Sequence, residues 1–151
     1  MAYTITDKCV GCAVCTKICP TGAISGKRSK QHRIEALRCI DCGACGRICP
    51  HSAVLDEDQR ACERIRFRKT WEKPVIDRDK CISCNICIDA CPVRCLAVTY
   101  TADTDNKAAY PELVKPRACI ACELCVVECP VEAVKMVRPQ VLRCVRRWSR
   151  A

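Results

Sequence analysis

One cysteine pattern, C-x2-C-x2-C-x3-C-P, occurs four times in this chain without any change in spacing. Its copies occupy residues 9–20, 39–50, 81–92 and 119–130. The pattern accounts for sixteen of the nineteen cysteines, and Cys62, Cys95 and Cys144 are the three that fall outside it. A chain with so regular a repeat must fold around whatever its thiols bind.

The spacing within each copy favours an iron–sulfur cluster. Two residues between successive cysteines let a short loop aim three thiolates at three irons of one cube. The fourth cysteine follows a helical turn, and the proline after it removes a backbone donor and turns the chain away. We therefore predict four [4Fe-4S] clusters, with all sixteen repeat cysteines as iron ligands.

Disulfides and zinc are the other common uses of many cysteines. The cysteine count is odd, and four identical spacings have no disulfide rationale. A zinc-binding structural protein stays open as an alternative, against which the repeated C-x3-C-P ending counts. The first residues lack a signal-peptide pattern, and no apolar run approaches the roughly 18 residues of a membrane span. We therefore expect a reducing cytoplasm and no membrane insertion.

The formal net charge of +9 suggests a nucleic-acid partner at first sight. That charge counts every cysteine as neutral. An oxidised [4Fe-4S] core with four thiolates carries about −2, so four such sites offset eight of the nine positive charges. We therefore expect no nucleic-acid partner.

The four motifs resemble those of bacterial two-cluster ferredoxins, and their number resembles two such modules in tandem, as in a polyferredoxin. This resemblance implies an α+β fold in which short antiparallel strands and short helices surround two clusters per module. The expected organisation is module 1 at 1–56, a connector at 57–74, module 2 at 75–137 and a basic amphipathic tail at 138–151. Residues 4–6, 23–25, 32–37, 53–55, 75–76, 96–101, 113–114 and 133–137 are predicted to be strands or to contain them.

The resemblance also implies that the fourth cysteine of each motif ligates the cluster of the neighbouring motif. The implied ligand sets are Cys9, Cys12, Cys15 and Cys49; Cys39, Cys42, Cys45 and Cys19; Cys81, Cys84, Cys87 and Cys129; and Cys119, Cys122, Cys125 and Cys91. A nested arrangement, pairing motif two with three and one with four, is the alternative. The shorter spacing between motifs one and two favours the sequential arrangement.

The segments outside the motifs give weaker signals. The connector is predicted to be a surface helix or an ordered linker that ends at Pro74. Cys95 stands where the other repeats have alanine, which favours a packing role, and Cys62 and Cys144 are expected to be free structural thiols. In the tail, Trp148, Arg146 and Arg147 are candidates for docking a partner, with a helix that closes the second module as the alternative.

Four cysteines per cluster leave no open iron, and the sequence contains no nucleotide loop or nucleophile–base pair, so we expect no catalytic site. The resemblance implies an electron-transfer subunit, a wire between a catalytic metalloenzyme subunit of the aldehyde, formate, CO or hydrogen type and another redox partner such as a flavin/NAD subunit. A free soluble low-potential ferredoxin shuttle is the alternative. Head-to-tail association into a filament is a further hypothesis.

Overall fold

The repeat divides evenly between two structural units. The computed structural model describes residues 2–100 and 109–139, and the chain separates into the units Met1–Phe67 and Arg68–Ala151. Each unit contains two cysteine motifs, and the division falls inside the predicted connector. The α+β prediction is confirmed, because every motif forms a short helix between short antiparallel strands.

The first unit has two small antiparallel pairs of strands and two helices. Its elements are β1 (Thr4–Ile5), α1 (Val14–Ile18), β2 (Ile24–Ser25), β3 (Arg33–Ile34), α2 (Ala44–Ile48) and β4 (Val54–Leu55), with a 3-10 turn at Ala36–Arg38. Strand β1 pairs with β4 and β2 pairs with β3, with Ile5 opposite Val54 and Ile24 opposite Ile34. Helices α1 and α2 pack against each other. Both members of these two pairs therefore lie in or against a core that the two motifs share.

The second unit repeats this plan with longer strands. Its elements are β5 (Lys73–Ile76), α3 (Ile86–Asp89), β6 (Leu96–Tyr100), β7 (Ala109–Leu113), α4 (Leu124–Val127) and β8 (Val134–Val137). Strand β5 pairs with β8 and β6 with β7, in antiparallel register, and α3 packs against α4. Residues 101–108, between β6 and β7, lie outside the described residues.

Cysteine sulfur supplies much of each core. In the second unit, five buried cysteines pack with Leu96 and Val134. In the first, Cys15, Cys45 and Cys49 pack with the buried aliphatic side chains. Because thiols take the place of large side chains, each core depends on what those thiols bind.

The helix that was one of the two predictions for the connector is not present. Residues 57–74, all of them described, form no α-helix, and their helical geometry is limited to a 3-10 turn at Arg68–Thr70. Pro74 does not end the segment but lies within β5, and Trp71 and Lys73 are buried. The physical reason is that the end of the connector pairs with β8 and packs into the second unit. This packing stabilises the segment more than an exposed helix would.

Candidate iron–sulfur centres

The four motifs adopt the same unusual backbone conformation. Each motif has three residues with positive φ: the residue before the second cysteine, the residue after it, and the residue three positions beyond the fourth cysteine. The nine of these residues that are not glycine are Ala13, Asp41, Ser52, Ser83, Asn85, Arg94, Ala121, Glu123 and Glu132. The residue after the second cysteine caps the N-terminus of the helix in every motif. These left-handed turns fold the loop back so that its cysteines face one point.

Three cavities are lined by cysteines from two motifs of the same unit. In each, three cysteines come from one motif and one comes from the end of the other motif. The cysteines are Cys39, Cys42, Cys45 and Cys19 in the first cavity; Cys119, Cys122, Cys125 and Cys91, with Cys95, in the second; and Cys81, Cys84, Cys87 and Cys129 in the third. Their empty volumes, which include solvent at their open sides, are about 330, 290 and 300 Å³ and so differ little.

The remaining cysteines show the same grouping through their electrostatics. Burial raises the pKa of Cys15 to about 11, and the nearby thiols of Cys9, Cys12 and Cys49 contribute to the increase. Cys49 belongs to the second motif, whereas the other three belong to the first. Each unit therefore brings together two crossed groups of four cysteines.

Burial and repulsion from neighbouring thiolates keep the third cysteine of each motif protonated in the metal-free chain. Desolvation, followed by the charge of neighbouring thiols, raises the pKa of Cys45 and Cys125 to about 12 and that of Cys87 to about 11. A thiol must lose its proton to bind metal. Iron bound by these cysteines would have to displace their protons, and its positive charge would offset the repulsion between the thiolates.

A backbone N–H group donates a hydrogen bond to the fourth cysteine of every motif. The donor lies four residues further along the chain, and the N to Sγ distances are 3.3 Å for Ala23 to Cys19, 3.4 Å for Ala53 to Cys49, 3.4 Å for Cys95 to Cys91 and 3.2 Å for Ala133 to Cys129. Such bonds stabilise negative charge on a ligand sulfur and tune the potential of a bound cluster. The left-handed residue just before each donor directs the N–H group back toward the sulfur.

Two cations hold the loop that begins motif four. Lys73 is 5% exposed, and its Nζ donates to the backbone oxygen of Cys119 at 3.1 Å. Arg68 donates to the oxygen of Ala118 at 3.2 Å. Both cations help to lower the pKa of Cys119, although the hydrogen bond from Cys95 contributes most to that decrease. A buried lysine beside these thiols suits a site that becomes anionic when it is loaded.

The arrangement fits a [4Fe-4S] cluster. Four thiols surround a cavity in the first and third sites and five in the second, and apolar side chains line much of the rest, as with Ile24 and Ile34 in the first site. Among the described residues, no group of three or more Cys, His, Asp or Glu side chains converges as the ligands of a single metal ion do. Cysteine thiols around one cavity are the usual ligands of a [4Fe-4S] core.

The three cysteines outside the repeat have different surroundings. The side chain of Cys62 packs against Gly46 on α2, and its N–H donates to Val54 at 2.9 Å. Cys95 is buried and lines a cysteine cavity. Cys144 lies outside the described residues, as do the predicted docking residues Trp148, Arg146 and Arg147.

Sequence reasoning missed two parts of the site. Lys73 falls in the predicted connector, and no pattern in the sequence marks it as a buried cation. The left-handed positions were also missed, because glycine occupies only Gly11, Gly22 and Gly43 among the twelve. Aligning the four motifs would have revealed a signal, since glycine occurs at each of the three positions in at least one copy.

The described residues contain no helix that is long and apolar enough to cross a membrane.

Comparison with protein families gives matches to 4Fe-4S dicluster domains. One such model matches residues 8–54 and a second matches residues 74–136. A third, overlapping match to a 4Fe-4S dicluster domain covers residues 38–95, which spans motifs two and three. Motifs two and three are also a pair that the nested arrangement would unite, whereas the cysteine cavities join motif one with two and motif three with four.

Individual relatives match only short stretches. The chain is 50% identical over 36 residues to a ferredoxin-like protein in the nif region of Nostoc sp., covering 24% of this chain and 31% of that protein. It is 51% identical over 35 residues to the protein of the same description from Trichormus variabilis, covering 23% and 30%. The match therefore spans about a third of the length of these relatives.

A solved structure is similar at low identity. It is a chain of the formate dehydrogenase–heterodisulfide reductase–formylmethanofuran dehydrogenase complex from Methanospirillum hungatei. The two chains are 24% identical with a TM-score of 0.45, over 90% of this chain and 50% of that one.

Proposed function

Because this chain belongs to the ferredoxin-like proteins built from 4Fe-4S dicluster domains, we propose that it carries electrons on four [4Fe-4S] clusters, two in each unit. The observation that carries the proposal is the cavity lined by four cysteines from two motifs, found in three similar copies. A [4Fe-4S] cluster supplies one-electron redox chemistry when it is bound. The chain's own residues supply the ligands, the exclusion of water and the electrostatics.

The proposed ligand sets are crossed within each unit. They are Cys9, Cys12, Cys15 and Cys49; Cys39, Cys42, Cys45 and Cys19; Cys81, Cys84, Cys87 and Cys129; and Cys119, Cys122, Cys125 and Cys91. The shared cavities and the mutual effects on pKa support this pairing over the nested one. Each set uses four thiolates, so no iron is left open for a substrate, which supports a carrier without catalytic activity.

Differences in exposure suggest where electrons enter and leave. Cys12 and Cys84 are exposed, whereas Cys42 and Cys122 at the equivalent positions are only partly exposed. Val10 and Ile82, two residues before the exposed cysteines, are 52% and 62% exposed. An exposed ligand beside an apolar side chain suits a short contact with a redox partner. We therefore propose that electrons exchange at Cys12 in the first unit and at Cys84 in the second.

A carrier without its own substrate site needs a partner that supplies or consumes electrons. We propose a catalytic metalloenzyme subunit as one partner and a second redox subunit, with or without flavin, as the other. Co-purification of a large metalloenzyme subunit with this chain supports that role, whereas isolation as a free monomer that remains active as a mediator supports the shuttle. Association into a filament is a separate proposal, which electron microscopy of the concentrated holoprotein tests.

Chemical analysis tests the core of the proposal. The anaerobically purified chain is expected to contain iron and acid-labile sulfide in equal amounts, close to sixteen of each, because four clusters contribute four of each. Reduction is expected to produce the electron paramagnetic resonance signals of coupled [4Fe-4S] clusters. Full zinc occupancy without labile sulfide would reject electron transfer in favour of a zinc-binding structural protein.

A further inference from the structure

Among the described residues, Cys95 is the one cysteine that lines a cysteine cavity without belonging to any of the four ligand sets. It occupies the position four residues after the fourth cysteine, where the other motifs have Ala23, Ala53 and Ala133. Its side chain is 2% exposed, and its Sγ lies 3.3 Å from the Sγ of Cys91. The distance is well within the range of a hydrogen bond between two sulfur atoms.

Cys95 shares its cavity with a complete ligand set. Cys119, Cys122, Cys125 and Cys91 line the same space. Cys91, the hydrogen-bond partner of Cys95, is one of these four ligands. Five sulfurs around a site for four ligands leave one thiol that keeps its proton.

We propose that the Cys95 thiol donates a hydrogen bond to the Cys91 ligand sulfur of this cluster and so raises the reduction potential of the cluster, so that an electron in the second unit resides preferentially there. The inference rests on the proposed cluster ligation. A ligand thiolate has no proton and can only accept, so the proton between Cys95 and Cys91 belongs to Cys95. Reduction adds one negative charge that spreads onto the ligand sulfurs, and a donor aimed at them stabilises the reduced state more than the oxidised state.

The neighbouring site in the same unit lacks this donor. Ala133 stands at the equivalent position, and its backbone N–H makes the same bond to Cys129 at 3.2 Å that Cys95 makes to Cys91 at 3.4 Å. The backbone hydrogen bond to the ligand sulfur is therefore the same at both sites. The side-chain thiol of Cys95 is what distinguishes them. Since the site with Ala133 includes the exposed Cys84, the difference would draw electrons from the exposed site toward the buried one.

The test compares three variants of the holoprotein by redox titration followed with electron paramagnetic resonance, together with iron and labile-sulfide analysis. Cys95→Ala recreates the side chain of the other motifs, Cys95→Ser keeps a donor, and Ala133→Cys introduces the thiol at the neighbouring site. In Cys95→Ala, iron and sulfide are expected to stay unchanged. The reduction equilibrium constant of one cluster is expected to fall about tenfold, which corresponds to 59 mV for a one-electron couple. Cys95→Ser is expected to recover most of this change, and Ala133→Cys to raise the potential of the other cluster in the unit.

Two outcomes would overturn the inference. An unchanged potential in Cys95→Ala with full iron content would show that the thiol only fills space. Loss of about a quarter of the iron and sulfide in Cys95→Ala would show that Cys95 is itself a ligand in place of Cys91 or Cys119. Failure of the proposed function would appear differently, as a lack of labile sulfide in the unaltered protein.

Discussion

Crossed ligation can be tested with pairs of substitutions in the first unit. Cys19 and Cys42 lie in different motifs but line the same cavity. Cys19 and Cys12 lie in the same motif, but Cys12 groups with Cys15 and Cys49. Two double variants therefore test whether the ligands of one cluster come from one cavity or from one motif. They are Cys19→Ala/Cys42→Ala and Cys12→Ala/Cys19→Ala.

The expected magnitude follows from counting ligand sets. Any one of the three single variants breaks one set in four, so about a quarter of the iron and acid-labile sulfide should be lost. Cys19→Ala/Cys42→Ala should again lose about a quarter, because both changes act on one set, whereas Cys12→Ala/Cys19→Ala should lose about half. The assay is iron and sulfide per chain after anaerobic purification, with spin integration of the reduced protein as a second readout.

Reversal of this pattern would refute crossed ligation. If Cys12→Ala/Cys19→Ala lost a quarter and Cys19→Ala/Cys42→Ala lost half, each motif would hold its own cluster. Loss of half in every single variant would also contradict independent sets. Cys62→Ala is the matched control, because it removes a cysteine of the same unit that lies outside the four sets, and it should keep all the iron. Cys91→Ala combined with Cys122→Ala or with Cys84→Ala repeats the comparison in the second unit.

Further predictions concern packing and charge. Gly11→Ala should destabilise the holoprotein by more than about 2 kcal/mol in thermal unfolding, because φ is +70° and a Cβ would meet the backbone of Lys30; an unchanged midpoint would contradict this loop geometry. Gly46→Ala should cost about 1–3 kcal/mol through contact with Cys62, and Cys62→Gly should relieve most of that cost in the double variant. Lys73→Met should lower the reduction potential of one cluster, by about 1 kcal/mol of reduction free energy, because it removes a cation beside it, while Lys73→Arg retains the potential in the same titration.

Most of the secondary structure could be predicted from the sequence, since local signals determine it. Short apolar stretches next to each motif became strands, such as β4 at Val54–Leu55 and β6 at Leu96–Tyr100. The connector could not be predicted in the same way. Its mixture of charged and apolar residues suits a helix locally. Trp71 and Lys73 are nevertheless buried, and Lys73 begins a strand that pairs with β8, which is distant in sequence. Tertiary contacts overrode local preference there.

The cysteine groups were predictable as a list and by family resemblance, but their environment was not. Spacing alone identifies Cys119 as a ligand candidate and says nothing of the buried lysine that binds its carbonyl. The alignment of the repeats singled out Cys95, yet its proximity to Cys91 depends on a turn with Arg94 in a left-handed conformation that arginine seldom adopts. Such contacts depend on three-dimensional backbone geometry that composition and periodicity do not encode.

The left-handed turns also imply that folding of this chain depends on the supply of iron. Nine non-glycine residues in that conformation cost on the order of 10 kcal/mol in total, which is comparable to the whole stability of a small domain. A newly made chain without iron lacks the free energy of cluster binding that would offset this cost. We therefore expect it to stay unfolded and to be degraded by proteases. The amount of folded protein would then follow cluster assembly rather than gene expression, and iron starvation would deplete it while its messenger RNA stayed constant.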